Sequence, residues 1–214
     1  WYRPAMAKKR AIVYVDGFNL YYGAIKGSSD KWLNLEKYFR CVRQADDVEQ
    51  VYFFTAMVDG ASLQNQQTYL QALATTPSVR IVLGKFKFKD VDCRVSGCCH
   101  GGAKRFRVKT EKRTDVNIAL QLFEDAMEDR ADVLVIVSGD SDLVPAVHRV
   151  RNRFPSKRVV VYVPARDPDR SAAVELRTAA HSHRDLPLNI LKLCQFPPTL
   201  PDGSGGVIMK PPSW

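Results

Sequence analysis

The sequence is short of long apolar runs, of pairable cysteines and of acidic residues, and each shortage excludes something. Uninterrupted apolar stretches stop at strand length, as in Val133-Leu134-Val135-Ile136-Val137, far below the ~20 residues a membrane helix requires. No membrane partner is expected. Five cysteines are an odd number, so they cannot all pair within one chain. The apolar stretch 11–15 is too short for the core of a secretory signal, and Asp16 interrupts it. A cytoplasmic location with reduced thiols follows as the expectation. Residues 1–5 precede Met6 and are not expected to join the fold. Acidic residues number 23 against 32 Lys and Arg, a net charge of +9, which points to a polyanionic partner.

What remains is ordinary globular composition. Of the 214 residues, 45% are hydrophobic and 26% charged, with 12 Gly and 12 Pro. That excludes a wholly disordered chain, a collagen-like chain and a coiled-coil rod. The length suits one domain, 9–195, followed by a Pro- and Gly-rich tail, 196–214, expected to be extended or disordered.

Four β-rich segments, 11–15, 51–57, 133–137 and 159–163, recur along the chain, and 79–83 is a weaker fifth. They are continuously apolar rather than alternating, as strands buried on both faces of a parallel sheet are. Helical patterns lie between them at 62–75, 114–127, 141–152 and 171–180, with Ser62 and Thr114 as candidate caps. Alternating strands and helices predict a three-layer α/β/α sandwich around a central parallel sheet. One insertion, 85–109, breaks the rhythm. Its two arms alternate strictly and predict a β-hairpin.

The carboxylates fall at strand ends. Asp16 follows the first strand, and Asp140 and Asp142 follow the strand 133–137. Asp115 opens a helix. Ligand crevices of open α/β sheets lie at the carboxyl ends of the strands. If the first strand and 133–137 are neighbours, these acids meet in one crevice. For any one of them a helix cap is the plainer reading, but the whole set favours a site. Crowded carboxylates repel unless a cation neutralises them. All-oxygen ligands, with Asn19 and Ser138 as polar support, suit Mg²⁺ or Mn²⁺ rather than zinc. A carboxylate-held Mg²⁺ can orient a phosphate, activate a water and stabilise developing charge.

Asp16-Gly17-Phe18-Asn19, Lys112-Arg113-Thr114-Asp115-Val116 and Ser138-Gly139-Asp140-Ser141-Asp142-Leu143, in that order, resemble the NYN domain family of PIN-like nucleases, specifically its bacterial LabA-like branch. The resemblance covers about residues 9–193. It implies a PIN-like fold and a metal-dependent endoribonuclease in which Asp16, Asp115, Asp140 and Asp142 are the catalytic, metal-holding acids. Lys112 would help hold the phosphate. Many PIN-like nucleases carry a further acid after the second strand. Asp59 is the only acid near that place here, and Glu111 is a second candidate from elsewhere.

On the hairpin, Lys85, Lys87, Lys89, Arg105, Arg107 and Lys109 are expected to share one RNA-contacting face, with Phe86, Phe88 and Phe106 on the other. Its tip holds Cys93, Cys98, Cys99 and His100, which could bind a structural Zn²⁺ or be free thiols. Two competitors stand beside the ribonuclease reading. One is a non-catalytic RNA-binding module of the same fold. The other is a phosphohydrolase of small phosphate esters, which the absence of a P-loop and the strong positive charge disfavour. Whether the chain forms a homo-oligomer is left open.

Overall fold

β-Branched and aromatic residues build the centre of the molecule. In the computed structural model, residues 7–93, 95, 105–166 and 173–214 are described. β1 (Lys9–Asp16), β2 (Asp46–Thr55) and β3 (Val79–Leu83) come first, and the hairpin β4 (Lys85–Asp92) and β5 (Arg105–Lys112) follows. β6 (Val133–Val137), β7 (Arg158–Val163) and β8 (Ser182–Asp185) complete a six-stranded sheet. Its order is β3-β2-β1-β6-β7-β8, and every pairing is parallel. The continuous apolar runs are buried on both faces, as expected; β6 has no exposed residue.

Side chains alternate across a strand, so each run feeds two cores. Val13 and Val15 point into one layer with Trp32, Tyr38, Phe39 and Leu73. Ile12 and Tyr14 point into the other with Ile118, Leu122, Val147 and Leu176. Each large apolar side chain buried this way contributes roughly 1.5–3 kcal/mol.

The helices flank these cores. α1 (Gly17–Leu20) runs into a π-helical turn, Tyr21–Ile25. α2 (Leu35–Val42), α3 (Leu63–Ala74), α4 (Thr114–Met127), α5 (Val144–Arg153) and α6 (Val174–Ala179) follow. α2 was not signalled by the strand-and-helix pattern, yet its physics is ordinary. Leu35, Tyr38 and Phe39 share a buried face, and the Asn34 side chain accepts from the Lys37 N–H at 2.9 Å. The Ser62 side chain makes no capping bond. Thr114 is the first helical residue and not the cap, which falls on Arg113. The start of the helix expected at 171–180 lies outside the described residues. Beneath the second core, fully buried Asp125 accepts from Tyr14 Oη at 2.7 Å, Gln121 Nε2 at 3.0 Å and Arg130 Nη1 at 3.0 Å.

Strand order places the site. The chain builds outward from β1 to β2 and β3, then returns to β1's other side with β6 and continues to β7 and β8. The direction of winding reverses between β1 and β6, and such a switch point opens a crevice at the strands' carboxyl ends.

The segment 196–214 is not the free tail its composition suggested. β9 (Thr199–Pro201) and β10 (Val207–Met209) form an antiparallel hairpin. Phe196 and Trp214 pack on the buried Trp32 ring at 5.8 and 6.3 Å between centroids, and Trp214 lies 5.7 Å from Tyr69. Trp32 Nε1 donates to the Pro197 carbonyl at 2.8 Å. Proline and glycine shape the turns, while three widely spaced apolar anchors, Phe196, Ile208 and Trp214, fasten the segment to the core. Trp214→Ala should therefore lower folding stability by roughly 1–2 kcal/mol, below the 3–5 kcal/mol of a fully buried ring because Trp214 is only partly buried. Urea denaturation measures this, and an unchanged midpoint would mean that the segment does not pack.

Candidate metal centre

The crevice is organised from Asp16, at the end of β1. Its Oδ1 accepts from the Phe18 and Asn19 backbone N–H groups at 3.1 and 3.0 Å, capping α1. Its Oδ2 accepts from Asn19 Nδ2 at 2.6 Å and from Ser138 Oγ at 3.0 Å. Val15 pairs with Val137 across the β1–β6 junction, which brings Ser138 level with Asp16. Gly17 is required here. A β-carbon would sit 2.8 Å from the Phe54 carbonyl oxygen, so only glycine lets α1 leave β1 against β2.

A relay of hydrogen bonds then shapes the loop after β6. The Asp140 N–H donates to Ser138 Oγ at 3.0 Å, and the Asp142 N–H donates to Asp140 Oδ1 at 3.0 Å. Asn19 Oδ1 accepts from the Gly139 N–H at 3.1 Å. The result turns Asp140 and Asp142 toward Asp115 on α4. One oxygen of each of these three carboxylates lies within 4.8 Å of the others. The Asp16 oxygens are not part of that close group. Asp16 is 3% exposed, and its oxygens are taken up by four donors. The expected cluster of four is therefore three converging acids with a fourth beneath them.

The electrostatics match the crowding. Burial raises the Asp16 pKa, and hydrogen bonds from Asn19 and Ser138 oppose that rise. Asp115 is pushed up to about 6, first by burial and then by Asp140, Asp16, Glu111 and Asp142. Three carboxylate oxygens with no histidine or cysteine, among the described residues, form a donor set for a hard divalent cation.

The approach to α4 is also built for position. Arg113 has φ +83°, a left-handed conformation that costs a non-glycine residue on the order of 1 kcal/mol or more. It turns the chain so that Thr114 and Asp115 open the helix. Glu111 accepts from the Thr114 N–H at 3.2 Å and from its hydroxyl, and so holds this turn beside the acids. Lys112 ends β5 with its side chain exposed. Asp59 lies elsewhere, paired with Lys109 at 2.5 Å.

The hairpin's basic residues do not share one face. In the β4–β5 register Lys85, Lys87 and Lys89 stand opposite Lys112, Thr110 and Val108, while Phe86 and Phe88 stand opposite Glu111 and Lys109. Directly opposed residues lie on the same face. Three lysines of β4 thus occupy one face, and Arg105, Arg107 and Lys109 share the other with Phe86 and Phe88. Contacts agree. The Arg107 guanidinium lies 4.5 Å from the Phe88 ring, and Lys109 Nζ lies 3.9 Å from that of Phe86. Phe106 stands opposite Val91, on the lysine face. Cys93 is a free thiol. Cys98, Cys99 and His100 lie outside the described residues.

A six-stranded parallel sheet flanked by helices, with acids at its switch point, is compatible with a PIN-like fold. Residues 10–187 match the NYN domain, and the chain belongs to that family. NYN domains suggest nuclease-type hydrolases, generally dependent on a divalent metal and acting on RNA. The chain is also 30% identical, over 237 residues, to 6-hydroxy-3-succinoylpyridine 3-monooxygenase HspA of Pseudomonas putida (strain DSM 28022 / S16), covering 96% of this chain and 75% of that protein. Among solved structures it resembles a protein of unknown function from Vibrio parahaemolyticus RIMD 2210633 at a TM-score of 0.53 and 20% identity, over 86% of this chain and 96% of that one. That likeness concerns the fold alone.

The raised Asp115 pKa carries a sign that can be measured. The group is protonated at low pH, and the stability held there is lost as pH rises through about 6. Asp115→Asn cannot ionise and escapes the loss. Without divalent metal the variant should match the native protein near pH 4. At pH 7 it should exceed native stability by roughly 1 kcal/mol, allowing for solvent screening of this half-exposed group. Urea denaturation at the two pH values decides it, and an equal difference at both would mean that the fold does not raise the Asp115 pKa.

Proposed function

We propose that the chain is a Mg²⁺- or Mn²⁺-dependent endoribonuclease. One observation carries the reading: Asp115, Asp140 and Asp142 converge at the switch point of a strongly basic protein. Asp115, Asp140 and Asp142 would hold the ion, which when bound would supply neutralisation of phosphate charge and a water activated for attack on phosphorus. Asp16, with Asn19 and Ser138, fixes the loop that presents Asp140 and Asp142. Lys112, three residues before Asp115, is exposed on the hairpin face it shares with Lys85, not on the face that meets Phe18. The hairpin cations attract the RNA backbone.

A second reading comes from the relative named as a monooxygenase. The all-carboxylate group suits a hard divalent cation, and nothing in it points to oxygen chemistry in particular. Incubation with 6-hydroxy-3-succinoylpyridine, scored for its hydroxylation and for oxygen uptake, tests it directly.

Asp140→Asn removes one metal ligand charge while the Asn oxygen can still accept from the Asp142 N–H. RNA cleavage in Mn²⁺ should fall ~100-fold or more, and metal should raise the melting temperature of the native protein more than that of the variant. Native-rate cleavage by the repurified variant would place the chemistry elsewhere. RNA binding without cleavage by the native protein would support the non-catalytic module. Release of phosphate from mononucleotides would support the phosphohydrolase.

The split hairpin gives a separate test. Phe86 contacts Phe18, next to the crevice, at 5.5 Å, so the face carrying Arg105, Arg107 and Lys109 looks toward the site. Arg105 and Lys109 are ion-paired to Asp92 and Asp59, so replacing all three with Ala should flatten the log-log salt dependence of single-stranded RNA binding by about 1 unit. Replacing Lys85, Lys87 and Lys89 should change it less. The reverse result would assign the RNA path to the other face.

A further inference from the structure

Beyond the crevice, aromatic side chains form a row that the hairpin alone did not foretell. After α1 the backbone widens into the π turn Tyr21–Ile25, and Tyr21 and Tyr22 emerge 39% and 54% exposed. Short π segments frequently mark functional positions. This one is held firmly from behind. A β-carbon on Gly23 would land on the Pro164 carbonyl oxygen. The Arg166 N–H donates to the Gly23 carbonyl at 2.9 Å, and Arg166 Nε donates to the Ala24 carbonyl at 2.7 Å.

The rings touch in sequence. Tyr21 lies 5.2 Å from Tyr22, Tyr22 stacks on Phe18 at 6.5 Å with 19° between planes, and Phe18 meets Phe86 of the hairpin at 5.5 Å. Cations flank the row. Lys26 Nζ lies 5.0 Å from the Tyr22 ring and Lys109 Nζ 3.9 Å from that of Phe86. The row also borders the acidic loop. Phe18 and Tyr22 line a hollow of about 320 Å³ together with Asn19 and Gly139, the residue before Asp140. On its other side Tyr21, Tyr22 and Phe86 line a groove of about 710 Å³ that reaches Trp214.

We propose that Tyr21, Tyr22, Phe18 and Phe86 form a stacking platform for unpaired bases of single-stranded RNA beside the scissile phosphate. The proposal deepens the ribonuclease reading and rests on it for the identity of the ligand. Every base has a π face that an aromatic side chain can stack on, whatever the sequence. In a duplex those faces are spent on neighbouring base pairs, and recognition passes to shape and backbone. Rings interleaved with lysines match a chain whose bases and phosphates alternate. The platform therefore selects single strands, while the acids cut the phosphate brought to them.

The test is binding, independent of cleavage. It uses the full chain carrying Asp140→Asn, by fluorescence anisotropy on a labelled unstructured 12-mer RNA and on the same strand in a duplex. Adding Tyr21→Ala and Tyr22→Ala should weaken single-strand binding about tenfold or more, leave its salt dependence unchanged, and leave duplex binding unchanged. Adding Tyr21→Phe and Tyr22→Phe instead should keep native affinity. Undiminished single-strand binding by the alanine pair would overturn the platform. So would equal loss with the phenylalanine pair, or equal loss on the duplex. Cleavage by the protein with native Asp140 is scored separately. Tyrosine-dependent binding without any cleavage would end the nuclease reading and leave the platform. Cleavage with tyrosine-independent binding would do the opposite.

Discussion

The carboxylate of Asp16 is the point on which the rest of the site hangs. It ends the central strand β1 at the place where the sheet reverses its winding, and it is nearly sealed from water. A charge there would be costly without partners. Four donors surround it and serve three needs: two start α1, one orients Asn19, and one aims the Ser138 hydroxyl. Through Ser138 and Asn19 its influence reaches Gly139, Asp140 and finally Asp142. The same side chain therefore joins the two halves of the sheet and sets the geometry of acids it does not itself approach.

Those acids work against the stability of the molecule that holds them. Burial and mutual repulsion lift the Asp115 pKa, and Arg113 is held in a left-handed conformation next to it. Both are characteristic of sites shaped for a ligand. The two cores on either side of the sheet offset these costs. Glu111 contributes a local remedy by holding Thr114, although its own charge adds to the crowding.

The parallel sheet was legible because strands buried on both faces leave continuous apolar runs. The positions of Asp16, Asp140 and Asp142 followed from where those runs end, given that β1 and β6 are neighbours, which the structure bears out. Other features left no such mark. The hairpin arms alternate perfectly, but alternation does not give register. Opposing residues share a face, and a one-residue change in register exchanges the faces of a whole strand. That is why Arg105 and Arg107 lie with Phe86 and not with Lys85. The helix α2 is short, and its Asn34 cap precedes only three buried residues. The segment 196–214 disguised its anchors, because Phe196, Ile208 and Trp214 stand too far apart to form a periodic pattern. Tyr21 and Tyr22 were invisible as site residues, since nothing in Tyr-Tyr-Gly-Ala-Ile announces a π turn. Nothing in Glu124-Asp125-Ala126 marks Asp125 as buried, and only the fold brings Tyr14 opposite it.

The closure over Trp32 has a consequence for the order in which the protein can be completed. Its indole N–H is satisfied by a carbonyl 165 positions later, and the rings of Phe196 and Trp214 that cover it come later still than every strand of the main sheet. During synthesis, one flank of the sheet lacks this cover over Trp32 and Tyr69 until residues 196–214 leave the ribosome. Such exposed apolar surface is what chaperones hold and what aggregates when they do not. Residues 196–214 therefore act as a latch: the nascent domain can gather its strands early, but that flank closes only once translation has passed them.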